Sequence, residues 1–287
     1  MDDKIIIADG AMGTMLQKRG LKPGSMPDLM NLSSPDVVEE VHRLYIEAGS
    51  DIICTNTFGA NRYGLREVNY TPEDIISKAV NIAKNAIKNA DISDGKKSEI
   101  KIALDIGPIG ILLEPFGDLK SEEATDVFAE QAIVGEKAGA DIVIIETMGD
   151  LNEMKAAIRA VTQNTKLPVV ASMTFDVSGR TYMGVVAEDF ISSAEELGVA
   201  VIGINCSLEP KEMYPVAERF AKAAKVPLIF KLNAGLPDGD TGHYHVGPAE
   251  FALQMKPYGD LGMKIVGGCC GTSPEYIKEL RKIFSGG

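Results

Sequence analysis

The chain has 287 residues, 45% of them apolar and 24% charged, with 29 Lys and Arg against 41 Asp and Glu for a formal charge of −12. That composition excludes intrinsic disorder and fibrous character, and the acidic balance argues against a nucleic-acid or anionic-membrane partner. The apolar run Ile5-Ile6-Ile7-Ala8 is too short for a secretory or membrane-spanning segment, so a cytoplasmic protein is expected.

Short apolar runs predict strands at 4–8, 51–55, 101–105, 141–146, 168–174, 201–205, 227–233 and 264–268. Most are continuous rather than alternating, as suits parallel strands covered on both faces. Between them, helical periodicity predicts helices at 35–48, 73–89, 122–138, 151–163, 187–197, 210–224, 248–258 and 274–284, several beginning at or just after a Pro that fits the first turn. Residues 91–99 read as a solvated return to the third strand. Eight strands, each followed by a helix, predict a single-domain (β/α)8 TIM barrel spanning 1–287. Ala48-Gly49-Ser50-Asp51 is echoed by Ala138-Gly139-Ala140-Asp141 and faintly by Leu197-Gly198-Val199-Ala200, which reads as a helix stop leading straight into a strand.

In a barrel the active site lies at the C-terminal ends of the strands. Those ends read Asp9-Gly10, Thr55-Asn56-Thr57, Asp105, Glu146-Thr147, Thr174, Asn205-Cys206, Asn233 and Gly267-Gly268-Cys269-Cys270. Four cysteines in a chain of this length do not make a disulfide framework. Three of them sit in this ring, and three thiolates select Zn²⁺ over hard cations while leaving a fourth position open. Adjacent Cys269 and Cys270 can share one ion only where the strand has broken into a turn, with Gly267, Gly268 and Gly271 supplying the freedom. Asn233 is a candidate for the fourth place when substrate is absent. Buried inert thiols or a vicinal disulfide are the rival readings. Cys54, inside an apolar run, reads as a core thiol. His42 reads as a helix-face residue, His243 and His245 as part of a solvated loop, and Met12, Met15, Met26 and Met30 as packing.

Taken together, Asp9-Gly10-Ala11-Met12-Gly13-Thr14-Met15, Ala48-Gly49-Ser50-Asp51, Thr55-Asn56-Thr57-Phe58, Asp105-Ile106-Gly107-Pro108, Glu146-Thr147, Gly203-Ile204-Asn205-Cys206, Asn233-Ala234-Gly235 and Gly267-Gly268-Cys269-Cys270-Gly271-Thr272 resemble the homocysteine S-methyltransferase family. The wording is most similar to the N-terminal homocysteine-binding module of cobalamin-dependent methionine synthase. The resemblance implies zinc held by Cys206, Cys269 and Cys270. It also implies a homocysteine ammonium and carboxylate held by Asp9, by Glu146 and by backbone N–H groups near Gly10 and Ala11. Thr55, Asn56 and Asp105 would shape the same pocket.

The implied reaction is methyl transfer to homocysteine, giving methionine. Methylcobalamin or a methylated corrinoid protein is the expected donor, bound on another module or chain and docking at the barrel mouth. S-methylmethionine, S-adenosylmethionine and betaine are the alternatives, as is a corrinoid-dependent reaction on another substrate. The absence of Trp weighs against betaine, because a quaternary ammonium favours an aromatic cage. Two readings from other classes complete the set: a barrel enzyme using carboxylate acid–base groups with incidental cysteines, and a non-catalytic zinc-binding barrel.

Overall fold

A computed structural model describes residues 4–22, 24–239 and 242–284. Eight parallel strands alternate with helices: β1 (Ile6–Ile7), β2 (Ile52–Cys54), β3 (Lys101–Ile106), β4 (Ile142–Met148), β5 (Val169–Met173), β6 (Val201–Cys206), β7 (Leu228–Leu232) and β8 (Met263–Gly268). Neighbours pair in the order β1-β8-β7-β6-β5-β4-β3-β2, and a bridge from Ala8 to Ile52 brings β1 against β2 to close the ring. This is the (β/α)8 barrel that the sequence predicts.

Its outer layer holds α1 (Pro35–Ala48), α2 (Pro72–Asn89), α3 (Ser121–Ala138), α4 (Leu151–Asn164), α5 (Ala187–Glu196), α6 (Pro210–Ala223), α7 (Pro248–Met255) and α8 (Pro274–Phe284). Local chemistry sets several ends. Thr71 and Asp74 form a reciprocal capping box ahead of α2. The Asp150 side chain accepts from the N–H groups of Asn152 and Glu153 at the start of α4. Both α1 and α3 stop at a glycine in the left-handed region, Gly49 (φ 110°) and Gly139 (φ 97°).

The repeated Ala-Gly-x-Asp does more than stop a helix. The Asp51 carboxylate accepts the Ile7 N–H of β1 at 2.8 Å, and the Asp141 carboxylate accepts the Ile102 N–H of β3 at 2.8 Å. Each aspartate opens a strand and secures a backbone N–H of the strand before it.

Three differences from expectation have local causes. The helix expected at 248–258 ends at Met255 and tightens into a 3-10 turn, Lys256–Leu261, where Pro257 has no N–H to continue the α-helical bonds and Gly262 stops the turn in the left-handed region (φ 77°). Residues 91–99 include a short helix, Asp94–Glu99, with no buried side chain. After β1 the chain forms the short helices Met12–Gln17, Pro27–Leu29 and Met30–Ser33, each too brief for a periodic signal.

The core has an inner and an outer compartment. Ala8, Ile52, Cys54, Ala103, Ile144, Val170, Ile229 and Ile265 fill the barrel interior, while a larger cluster lies between strands and helices. That interior plug forms the floor on which the polar strand ends stand. No helix among the described residues is long and apolar enough to cross a membrane.

Candidate active site and thiol cluster

A cavity of about 290 Å³ opens at the C-terminal ends of the strands. Parallel strands place every second side chain on the inner face, so the inward phase of the plug continues upward into polar residues. From Ala103 it leads to Asp105, from Ile144 to Glu146, and from Ile229 to Lys231. Asp9, Gly10, Ala11, Thr55, Asn56, Asp105, Glu146, Cys206, Cys269 and Cys270, the predicted site residues other than Asn233, all line this one cavity.

The thiols form one wall. β8 ends at Gly268, and Cys269 and Cys270 lie beyond it, where the strand has given way to a turn. Of the three glycines expected to free that turn, Gly271 adopts a left-handed φ of 82°, while Gly267 and Gly268 remain in the strand. Thr272 ties the turn down: its hydroxyl donates to the Cys269 carbonyl at 2.7 Å and accepts the Ala11 N–H at 3.1 Å. The Ala11 amide, expected to serve a substrate carboxylate, is thus engaged within the protein.

Cys206 Sγ lies 3.1 Å from Cys269 Sγ and 3.6 Å from Cys270 Sγ, and all three sulfurs fall within 4.8 Å of one another. Thiolates around a tetrahedral zinc at about 2.3 Å stand roughly 3.8 Å apart, so this donor set fits one such ion. Hydrogen bonds from Cys206 and then Cys269 pull Cys270 down to about 3. Cys206, bonded to Cys269 and Cys270, is pushed far above the usual thiol range. Cys269 rises to about 12: its bond with Cys206 pulls it down, but its bond with Cys270 and its burial outweigh that.

Delivering Cys206 to this wall requires strained backbone. Among the described residues, Cys206 (φ 54°), Ser207 (φ 64°) and Thr147 (φ 64°) are the non-glycine residues in the left-handed region, a conformation costing about 1–3 kcal/mol each. Asn205, fully buried, holds two of these segments together. Its Oδ1 accepts the Thr147 N–H at 2.7 Å and the Ser172 hydroxyl at 2.9 Å, and its Nδ2 donates to Thr147 Oγ1 at 2.7 Å. Ser207 is fixed in turn by donating to the Asn205 carbonyl and accepting the Phe175 N–H. Asn233 donates its Nδ2 to the Ser207 carbonyl at 2.9 Å, and its Oδ1 is buried without a partner.

Buried acids line the same cavity. Asp9 is 2% exposed, and burial pushes it up to about 6 against the pull of Lys231. Burial likewise raises Asp105 well above the carboxylate range, with the Glu146 charge adding to it, and raises Glu146 against Lys231. Lys231 was not singled out in the sequence, yet it is 3% exposed and lines the cavity. Burial disfavours its charge, but Cys54, Glu146, Asp9 and Asp105 outweigh that and keep it an ammonium. The available signal was a lone charge within the otherwise apolar run Leu228–Leu232, in a strand buried along its whole length. Cys54 is buried within the interior plug as expected, but its thiol also accepts from Lys231 Nζ at 3.3 Å.

The remaining predicted residues brace the rim. Thr55 Oγ1 accepts the Asp105 N–H and pairs with Thr57 Oγ1, which is also bonded to the Asp105 carbonyl. Asn56 Nδ2 donates to the Pro27 carbonyl at 2.8 Å, and the Asn56 carbonyl accepts from Asn31 Nδ2 at 2.7 Å. Asp28, 2% exposed, accepts the Gly59 N–H beside this brace at 2.9 Å. His42 is fully buried with both ring nitrogens unpartnered, and burial lowers it to about 4. His245 is exposed.

A barrel that brings three convergent thiols and three buried carboxylates to one cavity has a donor set able to hold a metal ion. The sequence model of the Homocysteine S-methyltransferase family matches residues 6–284, and the chain belongs to that family. Methionine synthase of Mycobacterium leprae is 33% identical over 295 residues, covering 96% of this chain and 24% of that protein. Methionine synthase of Mycobacterium tuberculosis is 32% identical over 298 residues, covering 98% and 24%. The chain thus spans about a quarter of the length of these relatives. Among solved structures, the metallated form of the homocysteine methyltransferase MmuM from Escherichia coli superimposes with a TM-score of 0.83 at 21% identity, covering 97% of this chain and 96% of that one. Its apo form gives a TM-score of 0.75. At that identity the likeness speaks for the fold.

Proposed function

We propose that this chain, a single domain over 1–287, binds homocysteine and transfers a methyl group to its sulfur, giving methionine. The convergence of Cys206, Cys269 and Cys270 beside the buried acids carries this reading. The three cysteines would hold a zinc ion, with Asn233, whose Oδ1 is buried and unpartnered, as a fourth ligand without substrate. A bound zinc ion supplies a nucleophilic thiolate at neutral pH, where a free thiol is mostly protonated.

The chain's own residues do the positioning. Asp9, Asp105 and Glu146 supply negative charge for the substrate ammonium, while Gly10, Ala11, Thr55 and Asn56 shape the wall between the acids and the thiols. Fixing the amino-acid end at one wall presents the sulfur to the other, converting an encounter into an oriented reaction. Phe58, Met12 and Pro27 line the same cavity and limit water there. In the transfer the thiol proton is lost, the sulfur forms the new S–CH3 bond, and the methyl group's bond to its donor breaks with the electron pair staying on the donor.

Methylcobalamin or a methylated corrinoid protein, carried on another module or chain, is the donor of this reading. The relatives named methionine synthase support it. So does a crown of exposed apolar side chains on the loops after β2, β3, β5 and β7, namely Phe58, Leu112, Phe116, Val177, Tyr182 and Leu236. Phe58 is the one aromatic residue among those lining the cavity, which disfavours a caged quaternary ammonium such as betaine. The expected compartment is the cytoplasm, where thiols stay reduced.

The test pairs metal analysis with methyl transfer to homocysteine from methylcobalamin, methylated corrinoid protein, S-methylmethionine, S-adenosylmethionine and betaine. Cys206→Ser is expected to lose zinc and about 10³-fold or more in turnover together. Full turnover by a metal-free Cys206→Ser protein would overturn the mechanism.

A further inference from the structure

Three loops at the cavity mouth each lay an aromatic ring on a glycine of a neighbouring loop. A Cβ on Gly107 would meet the Phe58 ring at 2.6 Å, one on Gly149 would overlap the Tyr182 ring, and one on Gly271 would overlap Tyr244 Cγ and Cδ1. Phe58 and Tyr182 are exposed at the rim, but Tyr244 is half-buried and sits on the residue that follows Cys270.

The chain after β7 holds that ring in place. Pro237 and Tyr244 form an antiparallel bridge, and the Asp238 N–H donates to the His243 carbonyl at 2.8 Å. The Val246 N–H donates to the Ala234 carbonyl at 3.2 Å, and the Val246 carbonyl accepts from the Tyr276 hydroxyl at 2.6 Å. The Ala234 N–H donates in turn to the Cys270 carbonyl at 3.0 Å. One segment thus fixes Cys270 by its backbone and lays a ring beside it.

The Tyr244 hydroxyl faces the thiols. Burial, then the charges of Cys270, Cys206 and Cys269, push it up to about 12, and a hydrogen bond to Cys270 adds to the rise. Metal ligation requires all three thiols to lose their protons. The thiol–thiol hydrogen bonds to Cys270 go with those protons, which leaves the tyrosine hydroxyl as its side-chain donor. A hydrogen bond to a ligating sulfur draws off negative charge and weakens it as a nucleophile.

We propose that Tyr244 is a positioning residue that donates to Cys270 Sγ in the zinc-loaded site, so that an incoming methyl group goes to the substrate sulfur rather than to Cys270. The proposal rests on the zinc and homocysteine reading above and deepens it. Four thiolates around one ion would compete for the same electrophile, and Tyr244 makes Cys270 the weaker competitor. Gly271 gives the ring the seat from which its hydroxyl reaches that sulfur.

Tyr244→Phe keeps the ring and removes only the hydroxyl. With cobalt(II) in place of zinc, the sulfur-to-cobalt charge-transfer band of Tyr244→Phe is expected at lower energy than in the unsubstituted protein, because a sulfur lone pair without a hydrogen bond gives up its electron more easily. With zinc bound and homocysteine left out, methyl iodide is expected to methylate Cys270 about 5-fold faster in Tyr244→Phe, read by peptide mass mapping. In that step Cys270 Sγ forms the S–CH3 bond and iodide leaves with the electron pair. Rates at Cys206 and Cys269 should change by less than about twofold, since only one sulfur loses a donor.

A band at unchanged energy or an unchanged rate at Cys270 overturns the proposal. So does an equal rise at all three sulfurs, the mark of a ring that merely holds the site together. Metal content per chain reports folding. Should Tyr244→Phe fail to load metal, a crystal structure of the zinc-loaded unsubstituted protein decides: a hydroxyl within hydrogen-bond reach of Cys270 Sγ supports the proposal, and one turned away overturns it. If the unsubstituted protein binds no zinc, the metal reading itself falls and takes the proposal with it, a result distinct from an unchanged band.

Discussion

At the N-terminal ends of the strands, Asp51 and Asp141 each take a backbone N–H from the preceding strand and keep cations within reach: Arg281 and Lys4 for the first, Lys101 for the second. At the C-terminal ends, Asp9, Asp105 and Glu146 are sealed in around Lys231, and two of them have an oxygen with no hydrogen bond. The same side-chain chemistry is spent on backbone satisfaction at one end and left incomplete at the other. Incomplete satisfaction costs stability and persists where a ligand finishes it. The strained residues follow the same division, with Thr147, Cys206 and Ser207 all at the C-terminal ends.

The contrast breaks most sharply at Asn205, which supports the functional end without facing a substrate. Asn205→Ala removes both of its bonds to Thr147 and the one to Ser172. An unfolding free-energy loss of about 3–4 kcal/mol is expected, measured by urea titration. Thr147 and Cys206 would relax toward ordinary backbone angles, so methyl transfer should fall by about 100-fold even where the protein is fully folded. Wild-type turnover in a folded Asn205→Ala protein would show that the strained geometry is dispensable.

Glu153 tests the boundary between the two uses. It lies in the first turn of α4, just beyond the C-terminal end of β4, where its Oε1 accepts the Ile109 N–H at 2.8 Å. Burial nonetheless pushes it up from 4.5 to about 7. The folded chain therefore holds this proton more tightly than the unfolded chain. The stability from burying a neutral carboxyl is full below about pH 4.5 and is lost as pH rises through about 7. Glu153→Gln, neutral throughout and still able to accept the Ile109 N–H, is expected to match the unsubstituted protein at pH 4. At pH 8 it should exceed it by about 2–3 kcal/mol. A pH-independent difference in urea midpoints would remove Glu153 from the strained group.

How much of this was legible follows from the kind of signal each feature leaves. The strands and helices were readable because parallel strands buried on both faces are continuous apolar runs, and because Pro and Gly punctuate the helices between them. The cysteines stood out as rare residues at strand ends. Lys231 did not, because a single charge inside an apolar run leaves the strand signal intact and announces no partner. Its carboxylates lie 85 residues away at Glu146 and near the start of the chain at Asp9. Asn205 and Thr272 were hidden for a related reason: they were read as parts of motifs around the cysteines, whereas their work is done by bonds to Thr147, Ser172, Ala11 and Cys269 that depend on barrel closure.

The repeated Gly-x-Asp shows the opposite case, a pattern visible in the sequence whose second role needed register. Asp141 accepts the Ile102 N–H because β3 and β4 pair with Ala103 opposite Ile142, which sets the aspartate level with the start of β3. The third, faint copy carries Ala200 at this position, and β6 still pairs with β5, the Ala200 N–H donating to the Val169 carbonyl at 2.8 Å. An alanine is therefore compatible with the strand, and the aspartate adds an increment rather than deciding the fold. Asp141→Ala is expected to cost about 1 kcal/mol in urea unfolding, the net worth of one hydrogen bond at a partly exposed site. Turnover should stay within about twofold, because the cavity lies at the opposite, C-terminal ends of the strands. A large activity loss with little loss of stability would mean that the two ends of the barrel are coupled, and that acids at the N-terminal end do more than satisfy backbone.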